Sequence, residues 1–238
     1  MMIDIHSHIL PGLDDGPSTL TMALAMARMA VDRGVSTMVA TPHTLNGVYH
    51  NSRSAILEAC VVFNKALEQE NIALGVLPGC EAHLCPELMG EIESGEITTL
   101  NDQGRYVLLE LPHPFVPQGV IAFINRLNAM NLTPIIAHGE RSHGIQQNPS
   151  IMQDFIHAGA LCQITAQSLD GSLGRNPKRC CKTLLEAGLV HLVASDAHDI
   201  RGRKPGLKHV SKIIVALVGR EEAHRLLVIN PIMVIASN

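Results

Sequence analysis

The sequence predicts a parallel α/β fold, in which short strands alternate with helices along the whole chain. The strand candidates are apolar and rich in β-branched residues, as expected for strands buried on both faces of a parallel sheet. Most are followed by a stretch with helical periodicity, and several of these stretches stop at a glycine. Strand and helix signals alternate from end to end, which is typical of βαβ units. Periodicity alone fits an open doubly wound sheet and a closed barrel equally well.

Seven strands and eight helical segments are expected. The strands are expected at residues 2–5, 37–40, 73–78, 106–110, 133–137, 161–164 and 190–194. The helices are expected at residues 19–33, 52–70, 86–94, 118–130, 149–157, 177–187, 207–217 and 221–228. Ser18 is a candidate N-cap of the first helix, and Gly34 ends it. Because no linker, repeat or low-complexity segment divides the chain, residues 1–238 are expected to form a single domain.

Composition and charge narrow the function classes. Hydrophobic residues make up 46% of the 238 residues, which allows a sizeable core. The net charge of −4 argues against a nucleic-acid partner, since such proteins normally present a basic surface. The first residues show no charged or apolar region typical of a leader peptide, and no apolar run is long enough to span a bilayer, so neither a leader nor a membrane span is expected. Six cysteines without a C-x-x-C pair suit reduced thiols, so a cytoplasmic protein without membrane insertion is expected.

Polar side chains recur where the predicted strands end. His6 and His8 follow the first strand two residues apart, so they share a face and can bind a divalent metal together. Further candidate ligands follow the first strand and five of the other six: Asp15, His43, Glu81, Glu110, His138, Asp196 and His198. The carboxyl ends of parallel strands converge in a barrel, and so many polar groups in one place need cations between them. A cluster of two or three divalent ions is therefore expected.

The charges and donor types at these positions indicate phosphate chemistry. The four candidate carboxylates carry about four negative charges, so three divalent ions would leave a surplus of about two positive charges. That surplus matches a phosphate monoester dianion, and Arg141 and Arg203, adjacent to candidate ligands, suit bidentate phosphate contacts. Imidazole and carboxylate donors without thiolate favour manganese, iron or zinc, and a bridging water would be activated as hydroxide. Asp199 is a candidate proton donor to the leaving oxygen.

Six ordered segments carry a resemblance to a known family: IDIHSHILPGLDDGP, ATPH, PGCEAH, YVLLELP, PIIAHGER and VASDAHDIRGRKPG. The sequence resembles the PHP (polymerase and histidinol phosphatase) family and, within it, the bacterial tyrosine-protein phosphatases of capsule and exopolysaccharide operons. The resemblance implies a single-domain, distorted TIM-like (β/α)7 barrel. It also implies a trinuclear metal centre at the carboxyl ends of the strands. The nine candidate ligands would hold the ions, manganese first and iron, zinc or magnesium as alternatives. Arg141 and Arg203 would bind phosphate.

The expected activity is metal-dependent hydrolysis of phosphotyrosine on a protein, with a bacterial tyrosine kinase that controls polysaccharide synthesis as the substrate. The same chemistry on a small phosphate monoester, such as histidinol phosphate, is an open alternative. A metal-binding regulatory module without turnover is an alternative of another class. The complete set of nine candidate ligands argues against that module, because a decayed site would show Gln, Asn or Ala at some positions.

Overall fold

The computed structural model describes residues 2–236, and its strands and helices alternate as expected. The strands are β1 (Met2–Ser7), β2 (Val35–Ala40), β3 (His43–Thr44), β4 (Gly75–Pro78), β5 (Glu81–His83), β6 (Tyr106–Glu110), β7 (Thr133–Ile136), β8 (Leu161–Thr165) and β9 (Leu192–Ala194). The α-helices are α1 (Leu20–Asp32), α2 (Arg53–Gln69), α3 (Leu88–Glu93), α4 (Val120–Ala129), α5 (His143–Gln147), α6 (Ser150–His157), α7 (Ala166–Asp170), α8 (Arg175–Glu186), α9 (Lys208–His224) and α10 (Asn230–Ile235). None of the helices over residues 2–236 has the length and hydropathy needed to cross a membrane.

The strands form one curled parallel barrel with seven strand positions, which are called staves here. Strands β2 and β3 share one stave, β4 and β5 share another, and each remaining strand forms a stave of its own. One sheet has the order β1-β2-β4 and the other the order β3-β5-β6-β7-β8-β9, and every pairing is parallel. The first and last staves meet at an isolated parallel bridge between Ser7 and Ala197. Across this seam, the N–H of His8 donates to the carbonyl of Ala197 at 2.8 Å, and the N–H of Asp196 donates to the carbonyl of His6 at 3.0 Å. The parallel α/β prediction is confirmed, and the closed barrel is the correct alternative.

Two staves are interrupted in the middle. Strand β2 stops before Pro42, which has no N–H to donate, and the chain resumes pairing as β3. Strand β4 stops before Gly79, where a Cβ would lie 2.9 Å from Cγ1 of Val39. Pairing resumes when His43 lies opposite Glu81. These breaks place His43 and Glu81 on short upper strands at the barrel mouth.

Apolar side chains fill the barrel and separate it from the helices. The interior cluster includes Ile5, Val39, Leu108, Ile135 and Leu192, one from each of five staves, together with Val234 of α10. A larger cluster lies between the outer face of the sheet and the surrounding helices, and it contains Met26, Phe63, Ile124, Leu184 and Ile214. The polar mouth is thus supported from below by a buried apolar core.

The helix boundaries differ from the sequence expectations in a few places. Thr19, and not Ser18, caps α1, because its Oγ1 accepts a hydrogen bond from the N–H of Met22. The short helices α5, α7 and α10 were not expected. Gly219 breaks α9 with φ 84° and ψ 169°, which agrees with the expected separation of two helical stretches there. A π-helical segment, Arg225–Ile229, then leads into α10.

Candidate metal centre

The carboxyl end of β1 carries two buried histidines whose ring nitrogens face each other. His6 and His8 are inaccessible to solvent, and their Nε2 atoms lie 3.3 Å apart. Two N–H groups would repel at that distance, so at least one of these atoms carries a lone pair. A shared cation between the two rings would use the lone pairs of both.

All nine predicted ligands belong to one continuous cluster at the barrel mouth. Their ligand atoms form groups that lie within 4.8 Å of one another: His6, His8, Glu81 and Asp196; His8, Asp15, His43 and His198; His43, Glu81 and Glu110; and Glu110, His113 and His138. Four residues belong to two groups each, which makes the groups adjacent. His113, which was not among the nine candidates, lies in the group of Glu110 and His138. The structure therefore brings together every residue for which the sequence suggested metal binding.

Glu81 lies at the centre of the cluster. Its Oε1 is 2.6 Å from Nε2 of His138. Its Oε2 is 3.3 Å from Nε2 of His6 and of His8, and 3.1 Å from Nδ1 of His43. With four imidazoles around it, the Glu81 carboxylate would help to hold cations in both of the groups to which it belongs.

Backbone strain at two ligand positions supports a functional role for the cluster. His138 has φ 32° and Asp196 has φ 52°, so both non-glycine residues adopt a left-handed conformation that costs free energy. Each lies two residues after the end of its strand, β7 or β9, where the turn directs the side chain across the mouth. Such strain persists where the surrounding structure enforces it, which is common at active sites.

The side chains of the cluster shift one another's pKa values. Burial lowers the pKa of His8, but the charge of Asp14 and hydrogen bonds to it hold that pKa well above its ordinary value. Burial raises the pKa of Glu81, but attraction to His6 holds it well below its ordinary value. Burial likewise raises the pKa of Asp196, but attraction to His6, a hydrogen bond to His8 and the charge of Arg141 together hold that pKa well below its ordinary value. Because a metal binds the neutral imidazole, metal binding here would release protons and would weaken as the pH falls.

Unpartnered buried atoms show that the donor set fits divalent cations. Among the described residues, four buried ligand atoms at the mouth have no hydrogen-bond partner: Glu81 Oε2, His43 Nδ1, Asp196 Oδ1 and His198 Nε2. Buried polar atoms are nearly always satisfied, so four exceptions in one cluster need a common cause. Imidazole nitrogens and carboxylate oxygens are the donors that manganese, iron and zinc accept. The cluster is thus suited to several such ions.

Two further residues orient the first two histidines, and no motif or spacing predicted either of them. Nδ1 of His8 donates to Oδ2 of Asp14 at 2.6 Å. Nδ1 of His6 donates to Oε1 of Gln163 at 3.0 Å, and the same oxygen accepts from the N–H of His138 at 3.2 Å. These hydrogen bonds fix both tautomers and leave each Nε2 free for a metal. The sequence shows Asp14 and Asp15 side by side, and only the fold distinguishes the orienting carboxylate from the candidate ligand.

Replacing Asp14 by asparagine is expected to weaken metal binding about 10- to 100-fold, because the amide no longer fixes the His8 tautomer. The measurement is a titration of the metal-free protein with Mn²⁺. The matched control is Asp154→Asn, which changes an exposed carboxylate on α6. Equal affinities for the wild type and Asp14→Asn would show that Asp14 does not support the site.

The two predicted phosphate arginines lie at the rim of the cluster. Arg141 follows His138 in a 3₁₀ turn and donates to Oδ2 of Asp196. Arg203 donates to Oδ2 of Asp15 at 2.8 Å. Their side chains remain 18% and 28% exposed, so both guanidinium groups border the cluster on its solvent side. This is where an incoming anion would first meet positive charge.

The placement of Asp199 gives no support to its predicted role as proton donor. Its Oδ1 accepts from the backbone N–H groups of Arg201 and Gly202, both at 2.5 Å. Its Oδ2 accepts from the N–H of Arg203 at 3.3 Å. Burial raises the pKa of Asp199, but these hydrogen bonds hold it below its ordinary value. An ionised carboxylate with both oxygens accepting from the backbone has no proton to give, so Asp199 instead shapes the loop that carries Arg203.

The cysteines are inert thiols, and alkylation is expected to leave activity unchanged. All but Cys85 are buried, and burial raises the pKa of Cys60, Cys80 and Cys180 to about 12. Burial also raises the pKa of Cys85, so little thiolate is available at neutral pH. The measurement is phosphate release before and after iodoacetamide at pH 7.5. Loss of activity with full retention of metal would assign a cysteine to catalysis.

Comparisons with known proteins agree with this geometry. The family model described as "Capsular polysaccharide synthesis, CpsB/CapC" matches residues 2–236. Tyrosine-protein phosphatase YwqE of Bacillus subtilis (strain 168) is 42% identical over 202 residues, which cover 85% of this chain and 79% of YwqE. Tyrosine-protein phosphatase CpsB of Streptococcus pneumoniae is 30% identical over 235 residues, which cover 97% of this chain and 96% of CpsB.

A solved structure supports the same relationship. It comes from work on YwqE of Bacillus subtilis and CpsB of Streptococcus pneumoniae, described as unique metal-dependent tyrosine phosphatases. It superimposes with a TM-score of 0.94 at 38% identity and covers 98% of this chain and 94% of that chain. Since the family model extends from the first described strand to the last described helix and spans every residue of the cluster, this chain belongs to the CpsB/CapC family of capsular polysaccharide synthesis.

Proposed function

We propose that this chain is a metal-dependent phosphatase that hydrolyses phosphotyrosine on a protein. The observation that carries the proposal is the continuous cluster of nine His, Asp and Glu side chains with two arginines at its rim. Relatives named as tyrosine-protein phosphatases support the substrate class, and a related structure described as metal-dependent supports the chemistry. The whole chain would act as one catalytic domain, since the cluster draws on staves from both ends of the sequence.

The proposed cofactor is a set of three divalent ions, with manganese expected. His6, His8, Glu81 and Asp196 would hold one ion, and His43, Asp15 and His198 would hold a second together with His8. Glu110 and His138 would hold the third, with His113 beside them. Divalent ions supply Lewis acidity, which activates water as a nucleophile and neutralises charge on a phosphoryl group. Three divalent ions would exceed the charge of the four carboxylates by about two positive charges, which matches the charge of a phosphate dianion.

The chain's own residues would bind and orient the phosphate. Arg141 and Arg203 carry planar guanidinium groups on the exposed side of the cluster, where they would donate bidentate hydrogen bonds to phosphoryl oxygens. The leaving group is a phenolate, whose conjugate acid has a pKa of about 10. Such a group departs without a strongly acidic partner. This agrees with the placement of Asp199, which offers no proton.

The proposed physiological substrate is a bacterial tyrosine kinase of capsular polysaccharide synthesis. The family description supplies the process, and phosphotyrosine in that process requires a tyrosine kinase. A cytoplasmic location is proposed because all six cysteines are free thiols, as is usual in a reducing compartment.

A substrate panel tests the proposal. Phosphate release is measured with Mn²⁺ on a phosphotyrosine peptide, on histidinol phosphate and on p-nitrophenyl phosphate. The expected result is a kcat/KM for the peptide that exceeds that for histidinol phosphate by at least about tenfold, because an open rim accommodates a polypeptide. A preference for histidinol phosphate would instead identify a small-molecule phosphatase. Full metal loading without turnover of any substrate would identify a regulatory module.

A further inference from the structure

A second polar cavity adjoins the loop that carries Arg203. Its volume is about 800 Å³, and it lies between the end of α1, the helix α7 and the start of α9. Four basic side chains line it: Arg33, Arg201, Lys204 and Lys208. Two carboxylates, Asp32 and Asp170, also line it, and Asp170 lies 3.2 Å from Nε2 of His209. The lining therefore carries a surplus of about two positive charges, although the chain as a whole has a net charge of −4.

The four cations have no ionic partner of their own. Within residues 2–236, none of them lies within 4.0 Å of a carboxylate oxygen, whereas Arg141 and Arg203 each contact a carboxylate of the metal cluster. The helix α9 begins here after Leu207 without a capping side chain. Its first N–H groups and the positive end of its dipole therefore add to the attraction for an anion.

Parts of the cavity wall are held in place. Nη1 of Arg33 donates to the carbonyl of Pro205 at 2.9 Å, and its aliphatic stem packs where a Cβ on Gly206 would lie, 2.8 Å away. Nε2 of Gln167 donates to the carbonyls of Gly202 and Lys204 at 3.2 Å and 3.4 Å. Gln167 is 6% exposed, and its Oε1 has no partner among the described residues. The loop backbone and one guanidinium group are thus positioned before any ligand binds.

The cavity and the metal cluster share this loop. Arg203 points to Asp15 in the cluster, while the side chains of Arg201 and Lys204 line the cavity. Neighbouring Cα atoms are about 3.8 Å apart, so the Cα atoms of Arg201 and Lys204 lie within about 10 Å of the Cα atom of Arg203. That distance corresponds to about three residues of an extended peptide. A polypeptide whose phosphate lies at Arg203 can therefore place a nearby side chain in the cavity.

We propose that this cavity binds acidic side chains that flank the phosphotyrosine of the substrate polypeptide. The proposal rests on the proposed phosphotyrosine phosphatase function and adds a sequence preference to it. A surplus of about two charges suits one or two carboxylates, whereas the lining acids Asp32 and Asp170 would repel a dense polyanion. The cavity thus selects acid-rich phosphotyrosine sites.

Peptide binding tests this selection without turnover. Two peptides carry phosphonomethyl-phenylalanine, a non-hydrolysable phosphotyrosine mimic, flanked within three residues by glutamates or by glutamines. Fluorescence anisotropy gives their Kd values on the manganese-loaded protein. The wild type should bind the glutamate peptide about three- to tenfold more tightly, and the preference should shrink as NaCl rises from 50 to 500 mM.

Lys208→Gln and the double variant Lys204→Gln/Lys208→Gln should reduce this ratio stepwise towards one. The matched control is Lys212→Gln, one turn further along α9, which is exposed and lies outside the cavity. No preference in the wild type, a preference retained in the double variant, or an equal loss in Lys212→Gln would each overturn the proposal. Phosphate release from the corresponding phosphotyrosine peptides reports separately on the proposed function, because the binding ratio does not depend on turnover.

Discussion

Replacing Glu81 by glutamine is expected to abolish phosphatase activity, with a fall of about 10³-fold or more in kcat/KM. Glu81 contacts four imidazoles and belongs to two of the adjacent ligand groups, so its loss removes a bridging carboxylate from both. The side chain is nearly the same size, so the packing around it stays intact. Metal content, measured by elemental analysis after dialysis against Mn²⁺, should fall together with the rate.

The control for this change is Glu68→Gln, which alters an exposed carboxylate at the end of α2 and should leave both readouts unchanged. Removal of metal with EDTA should reproduce the loss in the wild type, and added Mn²⁺ should restore activity. Restoration should fail in Glu81→Gln at the same metal concentration. A Glu81→Gln variant with wild-type rate and metal content would remove this carboxylate from the site.

Replacing Arg141 by alanine is expected to lower kcat by about 10²-fold while metal content stays near normal. Arg141 offers fixed donors at the rim of the cluster, where charge builds up on the phosphoryl oxygens in the transition state. Its own nitrogens cannot ligate a metal, because the guanidinium stays protonated. The measurement is steady-state hydrolysis of p-nitrophenyl phosphate, with metal analysis on the same samples.

Two further variants define the origin of the effect. Arg141→Lys keeps the charge but loses the planar fork, so it should recover only part of the rate. Arg126→Ala removes an exposed guanidinium that pairs with Glu93 on the surface, and it should have no effect on the rate. An unchanged rate in Arg141→Ala would exclude this residue from the phosphate site. A parallel loss of metal would make it a support of Asp196 instead.

The alternation of strands and helices was predictable because each element carries its own local periodicity. Buried parallel strands read as apolar runs, and amphipathic helices repeat every 3.6 residues. The interrupted staves were not predictable, because Pro42 and Gly79 look like strand ends in the sequence. These staves continue towards the barrel mouth only because His43 pairs with Glu81, and the two residues are distant in the chain.

The short helices were missed for a related reason. Helix α7 has five residues, Ala166–Asp170, in a stretch of polar sequence that looks like a loop. A helix of this length is not stable in isolation, so local propensity says little about it. Burial of Leu169 and Ser168 between neighbouring elements determines its conformation, and that information is not local.

The site was predictable to the extent that residue type and strand position determine it. Histidines and carboxylates at successive strand ends predict a shared mouth, and the structure brings all nine together. Asp14 and Gln163 were missed because their contribution is a hydrogen bond to a ring nitrogen, which no spacing reveals. The predicted role of Asp199 as proton donor gains no support, because the turn after His198 directs its carboxylate to the backbone.

The narrow seam between β1 and β9 has a consequence for biogenesis. The staves on either side meet at a single bridge, and the side chains above it come from His6 and His8 on one side and Asp196 and His198 on the other. During translation the ribosome must deliver the chain from His6 to His198 before both halves of this junction exist. Cations that join them would bind only after both halves have formed, and they would stabilise the closed junction by mass action.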